Sequence, residues 1–414
     1  MVRSASDRSR VTWWYVLLPW MSALAAGCEI IAGIPDVADG RDTTGPEPDA
    51  GACPVLDTDA GKEGCGEGKA SCGDMDDCAT DLSSDEGNCG ACGHDCRGGE
   101  CDGGKCSPVE LFEADTPVGL ALHGGTLYWT EQGAVVGFST ASNAKVASWS
   151  SISPEEVVAD ESGVYWSQTY VGCLHRGPLD GGTPIEIGKC TGTNGGQLAL
   201  DETHVYWVVA TRSGECGDGN PCCGSGNTGC ILRARKDGQD VLPYAQDEVG
   251  PLAVTVDASH VYWSDMDPAH DPPTGRVKRC PKEGCAGEPE IYLELPANGL
   301  GQLSRMAIDG EYLYWLDRGK ARVQRVRMTA QDRPSAVELV AEGPFYGSGL
   351  LVDDTHVYWS AGTSIWRRSK LLEKESEAER LGGAQAHSIA VDCLHVYWTE
   401  MSQEPEGAVI RLAR

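Results

Sequence analysis

The chain has 414 residues, with 62 acidic side chains against 33 basic ones and a formal net charge of -29. This charge excludes a sequence-independent nucleic-acid binder, because neutralising phosphates requires clustered Lys and Arg. The 19 cysteines would be a liability in a reducing cytosol unless they held metal, so they indicate export to an oxidising environment. The length predicts several folded units, or one unit that grows by repetition.

Residues 1–27 have the composition of a secretory signal peptide. Three arginines precede an apolar run from Val11 to Leu24, as in the charged and hydrophobic regions of such signals. The run leads into Leu24-Ala25-Ala26-Gly27-Cys28, which resembles the lipobox of bacterial lipoproteins, although the leucine lies four residues before the cysteine instead of three. This resemblance implies acylation of Cys28 and a membrane-anchored protein of the bacterial cell envelope, periplasmic or at the cell surface. A signal cut elsewhere and an uncleaved membrane helix are the alternatives.

Residues 28–52 and 53–107 form two further segments. The first is rich in Gly, Pro, Asp and Thr, which predicts a flexible linker. The second contains nine cysteines and almost no large apolar side chains, so cross-links must replace a hydrophobic core. The C-x2-C pair Cys89 and Cys92 leaves zinc as the alternative, but no second ligand pair has suitable spacing. We therefore predict a small disulfide-rich module.

Residues 108–414 repeat a ten-residue phrase that ends in Tyr-Trp, as in LALDETHVYW, which ends at Trp207. The seven copies are spaced 37 to 56 residues apart, near the length of a four-stranded propeller blade. Each copy is typical of two strands joined by a turn. The sequence therefore predicts an all-β fold, a seven-bladed β-propeller, with a row of tryptophans packed between blades: Trp129, Trp166, Trp207, Trp263, Trp315, Trp359 and Trp398.

The turn inside the phrase has its own signature. Six of the seven copies place an Asp six residues before the Trp, where its carboxylate can accept backbone N–H bonds and close the hairpin. These residues are Asp160, Asp201, Asp257, Asp309, Asp353 and Asp392. Four histidines also share one position, and we interpret them as turn residues: His204, His260, His356 and His395. Both sets are predicted to be structural.

A second phrase, G-x-[VIL]-x-R or a close variant, follows each copy after the first. Its arginines are Arg176, Arg233, Arg279, Arg325, Arg367 and Arg411. Together the two phrases resemble the YWTD propellers of the LDL-receptor class over about 300 residues. The chain departs from that family in having seven copies instead of six, and only Asp265 and Asp317 match the Asp of the family's tetrapeptide.

The ring can be closed by an exchange of strands. The seventh copy lacks its outer strand, and Pro108–Leu111 matches Ala336–Leu339, the outer strand of the fifth copy. We predict that this N-terminal strand completes the last blade and removes exposed sheet edges.

Cysteine spacing predicts three cross-links involving the propeller. Two bridges are expected at hairpins, Cys173–Cys190 and Cys280–Cys285, because each pair is placed on adjacent strands. Four further cysteines share one long loop: Cys216, Cys222, Cys223 and Cys230. Cys393 is left over, on the face where the closing strand begins after Cys106. We predict that it bridges to a cysteine of the module.

One face of the propeller carries the long connections between second and third strands, and such loops usually bind ligands. Seven residues, one predicted to precede each inner strand, are also expected on this face: Gly119, Glu156, Gln197, Ala253, Arg305, Gly349 and Ser388. A loop adds Asp265, Asp267, His270 and Asp271 as candidate ligand-face residues. Its three carboxylates could hold Ca²⁺ or a transition metal, but we favour a solvated acidic loop, and no cofactor is otherwise indicated.

We predict a membrane-tethered extracytoplasmic binding or scaffold protein that recognises a protein or carbohydrate ligand through these face loops. The alternative is a metal-dependent envelope hydrolase, similar to the propeller lactonases, which would use the channel. Glu156 is the one carboxylate in the ring before the inner strands, too few for a metal cage. No G-x-S-x-G, H-E-x-x-H or P-loop motif occurs, so the sequence favours binding over catalysis.

Overall fold

The computed structural model describes residues 68–72, 78–169, 173–187, 194–210, 228–267, 274–285, 287–295, 302–343, 349–372, 377–401 and 407–414. The predicted signal peptide, Cys28, the linker and the start of the module lie outside these residues, as do Cys190, His270 and Asp271. The described part contains no α-helix, and its only helical segment is a 3₁₀ turn at Pro334–Ala336. No helix in it is long and apolar enough to cross a membrane.

The module is held by short hairpins and disulfides. Strand β1 (Lys69–Ala70) pairs with β2 (Thr80–Asp81), and β3 (Cys101–Asp102) pairs with β4 (Lys105–Cys106). Between described residues, three disulfides cross-link it: Cys72–Cys92, Cys89–Cys101 and Cys96–Cys106. Cys78 is also disulfide-bonded. The Sγ atoms of Cys89, Cys96 and Cys101 lie within 4.8 Å of one another. Their bonds are sulfur to sulfur, so no thiolate is left among them for zinc.

Seven antiparallel sheets of four strands form the propeller, as predicted, and we number them blades 1 to 7. Blade 1 contains β6 (Leu120–His123), β7 (Thr126–Glu131), β8 (Ala134–Ser139) and β9 (Ala144–Ser150). Blade 2 contains β10 (Pro154–Asp160), β11 (Gly163–Gln168), β12 (Leu174–Gly177) and β13 (Ile185–Ile187). Blade 3 contains β14 (Asn194–Leu200), β15 (His204–Ala210), β16 (Gly229–Arg235) and β17 (Leu242–Glu248).

The remaining blades continue in the same order. Blade 4 contains β18 (Val254–Val256), β19 (His260–Asp267), β20 (Thr274–Pro281) and β21 (Glu290–Glu294). Blade 5 contains β22 (Leu303–Ile308), β23 (Tyr312–Asp317), β24 (Arg322–Arg327) and β25 (Glu338–Glu342). Blade 6 contains β26 (Leu350–Val352), β27 (His356–Ala361), β28 (Ser364–Ser369) and β29 (Glu379–Gly382). Blade 7 contains β30 (Ala386–Val391), β31 (His395–Glu400), β32 (Gly407–Ala413) and β5 (Val109–Ala114).

Strand exchange closes the ring. β5 pairs antiparallel with β32, placing Phe112 opposite Val409 and Val109 opposite Arg411. The first part of the propeller therefore supplies the outer strand of its last blade, as the sequence predicts. The module contacts the propeller at this seam between β5 and β32, where Arg411 Nη2 donates a 2.8 Å hydrogen bond to the carbonyl oxygen of Arg97.

The Tyr-Trp dipeptide explains how neighbouring blades pack. Successive side chains of a strand point to opposite faces, so the two rings of each dipeptide enter different interfaces. Each of the seven core clusters joins the Tyr of one blade to the Trp of the next, as in Tyr206 with Trp263. Tyr397 of blade 7 meets Trp129 of blade 1 in the same way and completes the circle. All seven indoles are at most 5% exposed, so the row is core.

The Asp of the phrase connects the turn to this core. Asp201 Oδ1 accepts hydrogen bonds from the backbone N–H groups of Thr203 at 2.8 Å and His204 at 2.7 Å. Its Oδ2 accepts one from the Tyr206 hydroxyl at 3.0 Å. Burial alone would raise the pKa of Asp201, but these bonds outweigh it and lower the pKa. The same turn and tyrosine bonds recur around Asp257, Asp309 and Asp392.

Cysteine pairing is described in part. A disulfide joins Cys280 and Cys285 across the outer hairpin of blade 4. Cys173 and Cys393 are also disulfide-bonded. Their pairings stay predictions, because Cys190 and part of the module lie outside the described residues.

Candidate binding site at the channel mouth

The inner strands reach the channel mouth through β-bulges. Register shifts interrupt the pairing of the first two strands in blades 2, 3, 5 and 7: between Pro154 and Val157, Gly195 and Leu198, Leu303 and Arg305, and Ala386 and Ile389. A bulge adds one residue to its strand and redirects side chains. It also extends the strand, so the expectation that Glu156, Gln197, Arg305 and Ser388 precede the inner strands is wrong. They lie inside them, whereas Gly119, Ala253 and Gly349 do precede theirs.

An ion pair crosses the channel between blades 2 and 5. Arg305 Nη1 donates to Glu156 Oε1 at 2.6 Å, and Arg305 Nη2 donates to Glu156 Oε2 at 2.5 Å. Each side chain is 15% exposed. Burial acts to lower the pKa of Arg305, but the adjacent Glu156 charge and its hydrogen bonds raise it overall. Both carboxylate oxygens of Glu156 are therefore engaged.

Gln197 forms a second bridge at the same level. Its Nε2 donates to the Met306 carbonyl at 2.8 Å, and the Met306 N–H donates to its Oε1 at 3.0 Å. Blade 4 lies between these partners and carries only the methyl group of Ala253 at the corresponding position. Gln197 thus holds blades 3 and 5 together, and its amide is already paired.

A cavity of about 240 Å³ lies beneath these bridges. Its polar lining includes Glu156, Gln197, Arg305 and Ser388, and Leu198 and Ile389 contribute to its apolar wall. The sequence-predicted residues Glu156, Gln197 and Arg305 are therefore brought together at one place. Gly349 also lines it, and a Cβ there would come within 2.8 Å of the His387 carbonyl oxygen.

Three further titratable residues surround the ion pair and were missed by the sequence analysis. Glu155 Oε2 accepts a 2.7 Å hydrogen bond from Thr169 Oγ1, and burial, with the nearby Glu156, raises the Glu155 pKa. Burial and the charge of Arg305 lower the pKa of His387 to about 4, so its imidazole is neutral at pH 7. Arg318 follows β23, and partial burial and Arg305 lower its pKa. Glu155 and His387 directly precede Glu156 and Ser388, which the sequence pattern did select. Because only one residue per blade was selected, the second residue of each bulge was overlooked.

Asp265 fits neither the favoured prediction of a solvated acidic loop nor the alternative of a metal site, because it lies inside β19. Its side chain is fully buried and forms ion pairs with Arg276 and, at 3.1 Å, with Lys278. Its Oδ1 also accepts a 2.7 Å hydrogen bond from the Val249 N–H. The carboxylate is therefore a structural group inside blade 4 and does not face the solvent. The Asp267 side chain, His270 and Asp271 lie outside the described part of the structure.

The mouth therefore combines two carboxylates, two guanidinium groups and one neutral imidazole. A divalent cation would meet the positive charges of Arg305 and Arg318, and both oxygens of Glu156 already accept hydrogen bonds from Arg305. Among the described residues, a metal-like grouping of side chains is found only at the disulfide cysteines of the module. The geometry is better suited to hydrogen-bonding a ligand than to holding a metal.

Comparisons with known proteins identify the architecture. No protein-family model matches the chain, and no curated protein matches it. Among solved structures, virginiamycin B lyase from Staphylococcus aureus is similar over 74% of this chain and 98% of that one, at 12% identity and a TM-score of 0.51. A chain of a nidogen/laminin complex matches 61% of this chain and 92% of its own, at 15% identity and a TM-score of 0.44. Apo AztD from Citrobacter koseri matches 71% and 88%, at 12% identity and a TM-score of 0.45.

Identities this low indicate a shared fold alone, and they carry no information about activity. The β-propeller is thus supported by the coordinates and by similarity to the lyase structure. What this chain does must be argued from its own site.

Proposed function

We propose that this protein is a membrane-tethered extracytoplasmic binding or scaffold protein that recognises a protein or glycan through the mouth face of its propeller. The observation that carries the proposal is the Glu156–Arg305 pair across the channel. It fixes blades 2 and 5 relative to each other and uses the oxygens that a catalytic metal would need. A rigid ring with a polar mouth is well suited to presenting loops to a partner.

The ends of the second and third strands support the same face. In blades 2, 3, 5 and 7 the start of the first strand pairs with the end of the second, as Asn194 does with Ala210. The ends of second strands therefore lie beside the channel mouth. The second strands β15, β19 and β31 end at this rim, and the third strands β16, β20 and β32 begin there. The long connections between them, 211–227, 268–273 and 402–406, lie outside the described residues. Sequence-variable loops on a rigid scaffold are the usual place for recognition.

Affinity capture from an envelope extract tests the proposal against the hydrolase alternative. The purified protein should retain a specific protein or glycan, contain no stoichiometric metal by elemental analysis, and leave lactone and phosphoester panels unhydrolysed. Bound metal together with turnover that a chelator abolishes would instead support the metal-dependent hydrolase.

The lipid anchor is a separate part of the proposal, and it is supported by the lipobox-like segment ending at Cys28. Acyl chains contribute about 0.8 kcal/mol per buried methylene, so multiple chains suffice for stable anchoring. Replacing Cys28 with Ala should move the protein from the membrane fraction to the soluble one on cell fractionation. The anchor assignment is wrong if the Cys28→Ala protein stays in the membrane fraction after washing with high salt.

A further inference from the structure

A second cavity, of about 740 Å³, opens on the mouth face between blades 1 and 2, and we call it the interblade cavity. Its walls come from the turn between β7 and β8, the connection between β9 and β10, and the adjacent ends of β11 and β12. None of its described lining residues belongs to an inner strand, so it is distinct from the channel cavity. Its volume lies within the range of small-molecule binding sites.

Gln168 is a buried residue that leaves one end of its amide unpaired in this cavity. The side chain is held firmly, because Nε2 donates to Ser151 Oγ at 2.8 Å, and the same hydroxyl accepts from Trp166 Nε1 at 3.0 Å. Gln168 is 8% exposed. Its Oε1 has no hydrogen-bond partner among the described residues, yet it is not an enclosed atom, so it faces the cavity that Gln168 lines. A fixed and unpaired amide oxygen favours a ligand that donates a hydrogen bond.

A column of stacked rings crosses the interface of blades 1 and 2 and ends at the interblade cavity. Trp149 stacks on Trp166 with ring centroids 5.4 Å apart, and Trp166 stacks on His175 at 5.5 Å with an interplanar angle of 10°. His175 lines the cavity. Its Nδ1 is enclosed without a partner in the described part of the chain, and burial lowers its pKa, so the imidazole is neutral at pH 7. The column therefore presents an uncharged ring to a ligand.

The remaining lining groups favour an uncharged ligand that is rich in hydroxyl groups. Glu186, opposite His175 on β13, is exposed and forms no ion pair with another described residue. Because it is the one charged side chain in the described lining, anions are repelled, whereas hydroxyl groups can donate to its carboxylate. Ile152, 74% exposed at the rim, adds an apolar contact. Hydroxyl donors and C–H groups on one small ring are the properties of a pyranose.

We propose that the interblade cavity binds a neutral pyranose unit of a glycan, with Gln168 and Glu186 accepting hydrogen bonds from its hydroxyl groups. Ile152 and the His175 ring contact its C–H groups, and Ser151 is the positioning residue that fixes the Gln168 amide. The inference rests on the proposed function, since it names the ligand class recognised on the same face.

Saturation-transfer difference NMR of the purified protein at pH 7 tests this site with neutral probes, the methyl glycosides of D-glucose, D-galactose, D-mannose and N-acetyl-D-glucosamine. D-glucuronate is the anionic analogue and D-glucosamine the cationic one. Glu186→Ala should weaken binding about 10- to 100-fold, the range expected for a lost hydrogen bond to a charged group. Glu294→Ala is the matched control, because Glu294 is an exposed carboxylate at the end of β21, the outer strand of blade 4. It should bind like the wild type.

Gln168→Met is the second variant, because it preserves the length of the side chain and removes the amide oxygen. It should weaken binding about 3- to 10-fold, as for a lost neutral hydrogen bond. Melting temperatures show whether each variant is folded.

The proposal predicts that at least one neutral glycoside binds saturably and more tightly than glucuronate and glucosamine. It is overturned if none of these glycosides saturates at tens of millimolar, if glucosamine binds best, so that the cavity recognises a cation, or if folded Glu186→Ala and Gln168→Met proteins both keep wild-type affinity. Capture of an envelope protein without any glycoside binding would overturn this inference and leave the proposed function standing. Failure of the wild type to capture any partner would remove the proposed function itself.

Discussion

At the scale of single residues, each Tyr-Trp dipeptide serves two interfaces at once. The indole fills the contact with the preceding blade, and the phenol fills the contact with the following one. In blades 3, 4, 5 and 7 the phenol hydroxyl also donates to the turn aspartate. In blade 5, Tyr314 donates to Asp309 Oδ2 at 3.1 Å, and Lys370 of blade 6 binds the same oxygen at 2.6 Å. A turn, a core ring and a neighbouring blade therefore depend on one carboxylate.

Removing the Tyr314 hydroxyl should measure this dependence. We expect Tyr314→Phe to lower the free energy of unfolding by about 1–2 kcal/mol, because a hydrogen bond to a buried carboxylate is lost. Urea denaturation followed by fluorescence provides the measurement. Tyr128→Phe is the matched control, since blade 1 has His123 in place of the aspartate. Equal losses in the two variants would contradict the role assigned to Asp309.

His387 makes stability depend on pH. Burial and Arg305 hold its folded pKa near about 4, whereas an unfolded histidine has a pKa of about 6.5. Between these values the unfolded chain binds the extra proton, so stability rises with pH over that window. The effect reaches up to about 3 kcal/mol for a shift of this size, since one pKa unit corresponds to about 1.4 kcal/mol. Replacing His387 with Gln should flatten the slope of unfolding free energy between pH 4.5 and 6.5, and an unchanged slope would argue against this assignment.

At the scale of elements, the seam between β5 and β32 is the part of the ring that the module secures. The contacts of Arg411 differ from those of Arg325, its counterpart in blade 5. Arg325 forms an ion pair with Glu338 at 2.7 Å, so its partner belongs to the propeller. Arg411 instead donates to the Arg97 carbonyl. A disulfide joins Cys96 to Cys106, which lies three residues before the closing strand begins at Val109. Lys105 also lies 3.5 Å from Glu379 of blade 6.

Removing the disulfide next to the seam should loosen the closing strand. The double variant Cys96→Ser and Cys106→Ser is expected to raise amide exchange in β5 and to lower stability by about 2–3 kcal/mol, as for other short disulfide loops. Hydrogen–deuterium exchange with mass spectrometry reads the strand directly. The Cys280→Ser and Cys285→Ser pair controls for disulfide loss away from the seam. If both variants leave β5 equally protected, the module does not secure the closure.

The sequence predicted the periodic elements well and the mouth incompletely. The strand with Tyr-Trp, the turn aspartate and the exchanged strand follow from local pattern and from matching segments such as Pro108–Leu111. The bulges do not, because one extra residue in a short segment has no sequence signature of its own, although it shifts the register by one. Cross-channel partners such as Glu156 and Arg305 lie 149 residues apart, so no local pattern pairs them. Asp265 looked like a loop ligand because its basic partners, Arg276 and Lys278, belong to the next strand.

At the scale of the whole molecule, the seven interfaces form one closed circuit with two different faces. The mouth face carries the bulges, the cross-channel pair and the ends of the long connections. The opposite face carries the aspartate turns, several of which accept a cation from the next blade: Asp160 from Lys236, Asp201 from Lys282, Asp309 from Lys370 and Asp353 from Arg414. One face is thus tied together by structural charges, and the other presents polar groups around a cavity.

Site-specific photo-crosslinking on cells compares the two faces directly. A photoreactive residue at position 152, where Ile152 is 74% exposed on the mouth face, should form a discrete adduct with a protein or glycan of the envelope. The same residue at Asp237, in the turn between β16 and β17 on the opposite face, should form none. Adducts from position 237 alone, or from neither position, would contradict recognition through the mouth face.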